Sequence, residues 1–163
     1  MTSAYFDSKM NVNQLEASLE SIHHEDLYEA LKNVPKDQLK QTVKTLQSIG
    51  NNFYHQGQLK DAVTKYSEAL QGAVQLKDTQ TAVKLLSNRS MTKLRLDDVA
   101  GAKEDATLAI RLDQSWAKGY YRLAAALMAD NKYPEAKPLF EKVLALQPGN
   151  AQAQAQLAKC VSA

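Results

Sequence analysis

Apolar residues recur at spacings of three and four along nearly the whole chain, the period of an amphipathic helix. Val12, Leu15, Leu19 and Ile22 open the pattern, and Leu27-Tyr28-Glu29-Ala30-Leu31 adds a short second stretch. Alternating Val/Ile/Thr runs and the hairpin dipeptides Asn-Gly and Asp-Gly do not occur, so strands are not expected. Alanine and leucine, both good helix formers, dominate. The periodicity breaks at Val34-Pro35, Gln56-Gly57-Gln58, Lys77-Asp78, Leu96-Asp97-Asp98, Asp113-Gln114-Ser115, Asp130-Asn131 and Gln147-Pro148-Gly149-Asn150. Helices of ordinary length separated by short connections, paired with their neighbours, are the predicted all-α architecture. Pro134 suits the first turn of the last pair's second helix. Pro138, one turn later, removes a hydrogen bond and is expected to bend that helix slightly. A final helix over Ala151–Val161 is expected to present Ala151, Ala155, Ala158, Leu157 and Val161 as its apolar side.

The pairs are repeats. Tyr133-Pro134-Glu135-Ala136 and Asp98-Val99-Ala100-Gly101-Ala102 occupy equivalent places, with Ala102 and Ala136 34 residues apart and Ala62 a further 40 before Ala102. The first repeat gives Leu46, Ile49, Gly50, Phe53, Ala62, Tyr66 and Ala69. The second gives Leu86, Arg89, Ser90, Lys93, Ala102, Ala106 and Ala109, and the third Tyr120, Leu123, Ala124, Leu127, Ala136, Phe140, Val143 and Pro148. This pattern resembles the tetratricopeptide repeat, whose period is 34 residues. The resemblance implies three helix pairs in a right-handed superhelix over residues 37–163, closed by the last helix as a cap. Residues 1–36 are expected to form a helical, acidic and partly mobile N-terminal extension. Small residues at 50, 90 and 124 should let paired helices approach Ala62, Ala102 and Ala136, with Tyr66 and Phe140 filling the space between repeats. Repeat two departs at Arg89 and Lys93, and the six additional residues around Gln71–Thr81 are placed in longer helices.

Charge refines this picture. The net charge of +2 decides nothing about nucleic acid, but it divides unevenly. Residues 1–34 carry six acids against Lys9 and Lys32, a net of −4, which leaves the remainder at +6 and attractive to an anionic partner. Cys160 is the single cysteine, so no disulfide forms within the chain, as suits a reducing compartment. Met1–Met10 contains Asp7 and Lys9 and lacks a signal-peptide apolar stretch. No apolar run reaches a membrane span's length. A cytoplasmic protein that binds no membrane is expected.

Stacked pairs form a groove lined by the first helix of each repeat. Residues three and four apart lie side by side there. Lys44, Gln47, Asn51 and Tyr54 come from the first such helix, Lys84, Asn88, Met91 and Arg95 from the second, and Lys118, Arg122 and Ala125 from the third. The groove is predicted to be basic and amide-rich, with no acid at these positions. Gly50-Asn51, Ser87-Asn88-Arg89-Ser90 and Lys118-Gly119-Tyr120-Tyr121-Arg122-Leu123-Ala124-Ala125-Ala126-Leu127 resemble the tetratricopeptide domains of heat-shock co-chaperones. That family's dicarboxylate clamp holds the C-terminal Glu-Glu-Val-Asp of cytosolic chaperones of the ninety- and seventy-kilodalton classes. The resemblance covers about residues 40–160 and implies Gln47, Asn51, Asn88, Lys118 and Arg122 as clamp residues. Lys44, Tyr54, Lys84, Met91 and Arg95 would give supporting contacts: Tyr54 and Met91 a pocket for valine, Arg95 a partner for an upstream glutamate. A terminal Asp presents two carboxylates, and each accepts charge-assisted hydrogen bonds. Asparagine amides donate without adding charge, and arginine offers a planar fork. Gln47 departs from the family, which usually has lysine there. Gln47 donates without charge, and Lys44 or Lys84 is the expected substitute.

Other chemistry is not signalled. Phosphate-binding glycine loops, Gly-x-Ser-x-Gly and His-Glu-x-x-His are missing, and His23-His24 and His55 lack partners at metal-ligand spacing. Basic residues interleaved with aromatic platforms, as single-stranded nucleic acid requires, are also missing. An adaptor without enzymatic activity, cofactor, metal or nucleic-acid partner is therefore expected. Two alternatives remain open: a scaffold that binds an internal peptide segment, and a module regulated or dimerised through residues 1–36.

Overall fold

The structure, a computed structural model, describes residues 9–19 and 25–163. His23, His24 and Ile22 lie outside the described residues. Among the described residues the chain forms nine α-helices and no strand: α1 (Val12–Leu19), α2 (Glu25–Lys32), α3 (Lys36–His55), α4 (Leu59–Gln75), α5 (Thr79–Arg95), α6 (Val99–Leu112), α7 (Ala117–Ala129), α8 (Tyr133–Leu146) and α9 (Ala151–Ser162). Each break expected from the sequence falls at a helix end. α3 pairs with α4, α5 with α6 and α7 with α8; α4 meets α5, α6 meets α7, and α9 closes on α8. The six additional residues are helical, as expected: α4 and α5 each have 17 residues, against 14 and 13 for α6 and α7.

Four connections share one local chemistry. At the ends of α3, α4, α5 and α7 a single residue turns left-handed: Gly57 (φ 76°), Lys77 (φ 55°), Asp97 (φ 60°) and Asn131 (φ 58°). Its N–H and the next one bond back into the helix, for example Gly57 N–H to the Tyr54 carbonyl (3.1 Å) and Gln58 N–H to that of Phe53 (2.9 Å). The same pair recurs at Lys77-Asp78, Asp97-Asp98 and Asn131-Lys132, closing each helix with a Schellman motif. At two of the four, the residue that follows caps the next helix with its side chain. Asp78 accepts from Thr81 N–H and Asp98 from Gly101 N–H, each such cap contributing about 1 kcal/mol. The connections after α6 and α8 are extended instead, through Asp113 and Gln147. Helix α8 runs through Pro138 unbroken.

The close crossings follow the small residues. Ser90 is buried in α5, and its Oγ donates to the Ala102 carbonyl of α6 at 2.8 Å. Gly50 lies against the ring of Tyr66, where a Cβ would stand 2.8 Å from a ring carbon. Tyr66 and Phe140 are fully buried, and each also meets the first helix of its own repeat. Phe140 meets Tyr121 edge-on at 5.5 Å, and Tyr66 fills the space that Gly50 leaves. The apolar side of α9 differs from expectation. Ala153 and Cys160 are buried and Leu157 half-buried, whereas Ala151, Ala155, Ala158 and Val161 are exposed. Alanine recurs at both helical phases, and the larger Leu157 and Cys160 select the one that faces α8.

The N-terminal segment joins the core. Met10, Val12, Leu15 and Leu31 are buried in one apolar cluster with residues of α3 to α6. α1 and α2 pack on α4. Gln75 Nε2 donates to the Tyr28 carbonyl (2.8 Å), and Met10 N–H donates to the Arg111 carbonyl of α6 (2.8 Å). These anchors lie on the second helices of repeats one and two. Among the described residues, none of these anchors lies in the first-helix groove that the regulatory alternative invokes. Two of its acids are also engaged locally: Glu16 accepts from the Tyr28 hydroxyl, and Glu29 pairs with Lys32 at 3.1 Å.

Candidate functional site

Helices α3, α5 and α7 are the first helices of the three repeats; two contacts join their polar stripes and a third backs them from α4. Arg122 of α7 donates from Nε to Ser87 Oγ of α5 (3.3 Å), beside Asn88. Arg95 of α5 lies 4.6 Å from the ring centroid of Tyr54 of α3, a cation–π contact. Asn51 of α3 accepts at Oδ1 from the Tyr66 hydroxyl behind it (2.7 Å). Gln47, Asn51, Tyr54, Asn88, Met91 and Arg122 are half-buried, and Lys44, Lys84, Arg95 and Lys118 are exposed. Tyr54 packs on the edge of the core, with His55 edge-on to its ring at 5.7 Å. Lys118 lies 5.9 Å from the Trp116 ring at the start of its own helix.

The electrostatics are one-sided. Among the described residues none of Lys44, Lys84, Arg95, Lys118 and Arg122 is in an ion pair, whereas Lys65, Arg89, Lys93, Lys103 and Lys132 all are. Burial lowers the Arg122 pKa, with the phenols of Tyr121 and Tyr54 acting the other way. A guanidinium stays protonated regardless. Arg122 is thus a partly desolvated cation with no carboxylate against it and with both terminal nitrogens uncommitted. The arrangement can do one thing well: bind an anion, with Asn51 and Asn88 as neutral donors. Among the described residues no group of three or more His, Cys, Asp or Glu could hold a metal, and no helix is long and apolar enough to cross a membrane.

A family model described as "Tetratricopeptide repeat" matches residues 117–150, the stretch that forms α7 and α8. Human RNA polymerase II-associated protein 3 is 34% identical over 119 residues, 73% of this chain and 17% of its own length. The solved structure of the first TPR of Spaghetti (RPAP3), bound to the HSP90 peptide SRMEEVD, is 33% identical. It superposes with a TM-score of 0.67 over 75% of this chain and 92% of that one. The chain belongs to the tetratricopeptide repeat family. The second TPR domain of human RPAP3, solved in complex with the HSP70 peptide SGPTIEEVD, is 31% identical with a TM-score of 0.65, covering 78% of this chain and 98% of that one. The chain spans only 17% of the length of the curated relative it matches.

Within this TPR framework, repeat two is irregular for a reason the structure supplies. Arg89 Nε and Nη2 donate to Asp105 of α6 at 2.8 and 2.6 Å, Lys93 approaches the same carboxylate at 3.0 Å, and Arg89 Nη1 reaches Ser67 of α4 at 3.0 Å. Two departures from the apolar pattern thus share one buried acid as their partner. Asp105 was not singled out by sequence reasoning, nor was Ser87 given a role. The signal for Asp105 was its place among Ala102, Ala106 and Ala109 on the buried stripe, where an acid demands a partner. Cys160 is buried, and burial raises its thiol pKa, as befits an inert helix residue.

Proposed function

We propose that the chain is a non-enzymatic co-chaperone adaptor of the cytoplasm, whose first-helix groove captures the C-terminal Glu-Glu-Val-Asp tail of a heat-shock chaperone. The half-buried, unpaired Arg122, set among unpaired cations and two asparagine amides, carries this reading. The RPAP3 domains solved with HSP90 and HSP70 peptides support it, because those peptides end in Glu-Glu-Val-Asp. Lys118 and Arg122 supply charge to the terminal carboxylates, and Asn51, Asn88 and Gln47 supply neutral donors. Tyr54 and Met91 border the penultimate valine, and Arg95, held by Tyr54, faces an upstream glutamate. Residues 37–163 form the binding domain, with the described part of residues 1–36 packed on it as an N-terminal extension. No motif for catalysis, cofactor or nucleic acid accompanies the groove.

Each charge-assisted bond contributes about 1.5–3 kcal/mol, and micromolar affinity corresponds to about −8 kcal/mol, so a few such bonds suffice. Gln47 removes one charge from the set, and Lys84 restores part of it. The test is fluorescence anisotropy with peptides ending Met-Glu-Glu-Val-Asp and Ile-Glu-Glu-Val-Asp, each as free acid and as amide. The free acids should bind near micromolar, lose most affinity on amidation and on Lys118→Ala or Arg122→Ala, and weaken on Lys84→Ala. Equal binding of acid and amide would favour the second reading, an internal-segment scaffold, to which Gln47 gives its support.

A further inference from the structure

Behind the groove, two buried hydroxyls touch two of the groove's donors. Tyr66 is 1% exposed, and its hydroxyl donates to Asn51 Oδ1 at 2.7 Å. Ser87 is fully buried, and its Oγ accepts from Arg122 Nε at 3.3 Å. An asparagine amide rotated by a half-turn about its last bond exchanges oxygen for nitrogen, at almost no intrinsic cost. Turned one way, it offers an incoming carboxylate two N–H groups. Turned the other way, it offers a carbonyl oxygen, which repels the carboxylate. The chain decides between them from behind. A buried phenol must place its proton on an acceptor, and the acceptor that Tyr66 finds is Asn51 Oδ1. The oxygen is thereby committed to the interior, and both amide hydrogens are left to the groove.

The packing makes this contact possible. Gly50 has no Cβ, and the Tyr66 ring occupies that space, bringing its hydroxyl up to the residue next in sequence. Burial, with a smaller contribution from Tyr54, raises the Tyr66 pKa to about 12, so the phenol remains a donor throughout the neutral range. Ser87 does the corresponding thing for Arg122. It engages Nε and leaves the pair of terminal nitrogens, the edge that can meet a carboxylate with two parallel bonds, turned to the groove. We infer that Tyr66 and Ser87 are positioning residues, which preset Asn51 as a pure donor and Arg122 as a two-pronged one before any ligand arrives. This inference rests on the reading of the groove as a carboxylate clamp. Preset donors save the ordering cost of binding, which appears as affinity.

The experiment uses the full chain and the free-acid Met-Glu-Glu-Val-Asp peptide, with thermal unfolding to check that each variant is folded. Tyr66→Phe keeps the ring beside Gly50 and removes only the hydroxyl; Ser87→Ala removes the second one. Each should weaken binding about three- to tenfold, the effect of one modest hydrogen bond. Tyr66→Phe should add nothing in an Asn51→Ala background, and Ser87→Ala nothing in an Arg122→Ala background, which a general packing defect would not reproduce. The ligand-free protein supplies a second readout. Nuclear magnetic resonance of the Asn51 side-chain amide should show a single fixed rotamer, and averaging in Tyr66→Phe. Wild-type affinity in both hydroxyl variants, with Asn51→Ala and Arg122→Ala still weakened, would overturn positioning and leave the clamp standing. No loss in Asn51→Ala or Arg122→Ala would overturn the clamp itself, and this inference with it.

Discussion

The carboxylate of Asp105, 1% exposed, lies between two cations of α5, with Arg89 on one side and Lys93 on the other. Arg89 is buried too, so its charge has no solvent to turn to if the acid is lost, whereas Lys93 is only half-buried and can swing outward. Asp105→Asn should therefore cost about 3–5 kcal/mol in chemical unfolding, the penalty of stranding a buried charge. Arg89→Met combined with Asp105→Leu should cost less than Asp105→Asn alone, because it removes the charge and its partner together. Additive losses in the double variant would mean that packing, not charge, governs this spot. Arg89 and Lys93 were visible in the sequence as interruptions of an apolar pattern. Their resolution was not, because the pairing crosses from α5 to α6 and depends on which face Asp105 takes.

At the scale of elements, the turns explain both what the sequence disclosed and what it concealed. Gly57, Asp97 and Asn131 belong to the residue types that tolerate a left-handed backbone, so their breaks stood out. Lys77 does not. It adopts φ 55° because the Schellman motif that closes α4 places it at the left-handed position, as at Gly57, Asp97 and Asn131. Lys77→Gly should stabilise the protein by about 0.5–1 kcal/mol, the relief of left-handed strain less the added freedom of glycine when unfolded. Gly57→Ala should destabilise it by about 1 kcal/mol through the backbone alone, since nothing stands within 4 Å of the added methyl. Melting temperatures of the two variants check the pair, and shifts of the same sign would discredit the explanation. The phase of α9 was less legible. Alanine on every face of that helix gives an ambiguous pattern, and only packing of Leu157 and Cys160 on the preceding pair resolves it.

For the whole molecule, charge and attachment act on different faces. The acidic first 34 residues and the basic groove are complementary in sign, which made occupation of the groove by this segment a reasonable expectation from sequence. Attraction between exposed charges fades beyond a Debye length of about 8 Å at physiological salt, however, and apolar burial does not. Leu15, fully buried, together with Met10, Val12 and Leu31 fixes the described part of the segment to the core beside α4. The described part of the segment therefore packs as a support on the second helices of repeats one and two. Leu15→Ala should cost about 2–5 kcal/mol of stability, as for other large-to-small changes in a core. It should leave the affinity for the free-acid tail peptide within twofold of wild type, since among the described residues no anchor of the segment involves Asn51, Asn88, Lys118 or Arg122. Anisotropy and unfolding measured on the same preparation separate the two effects. Lower stability with unchanged affinity is the signature of a support, whereas tighter tail binding on loosening the segment would make it a competitor for the groove.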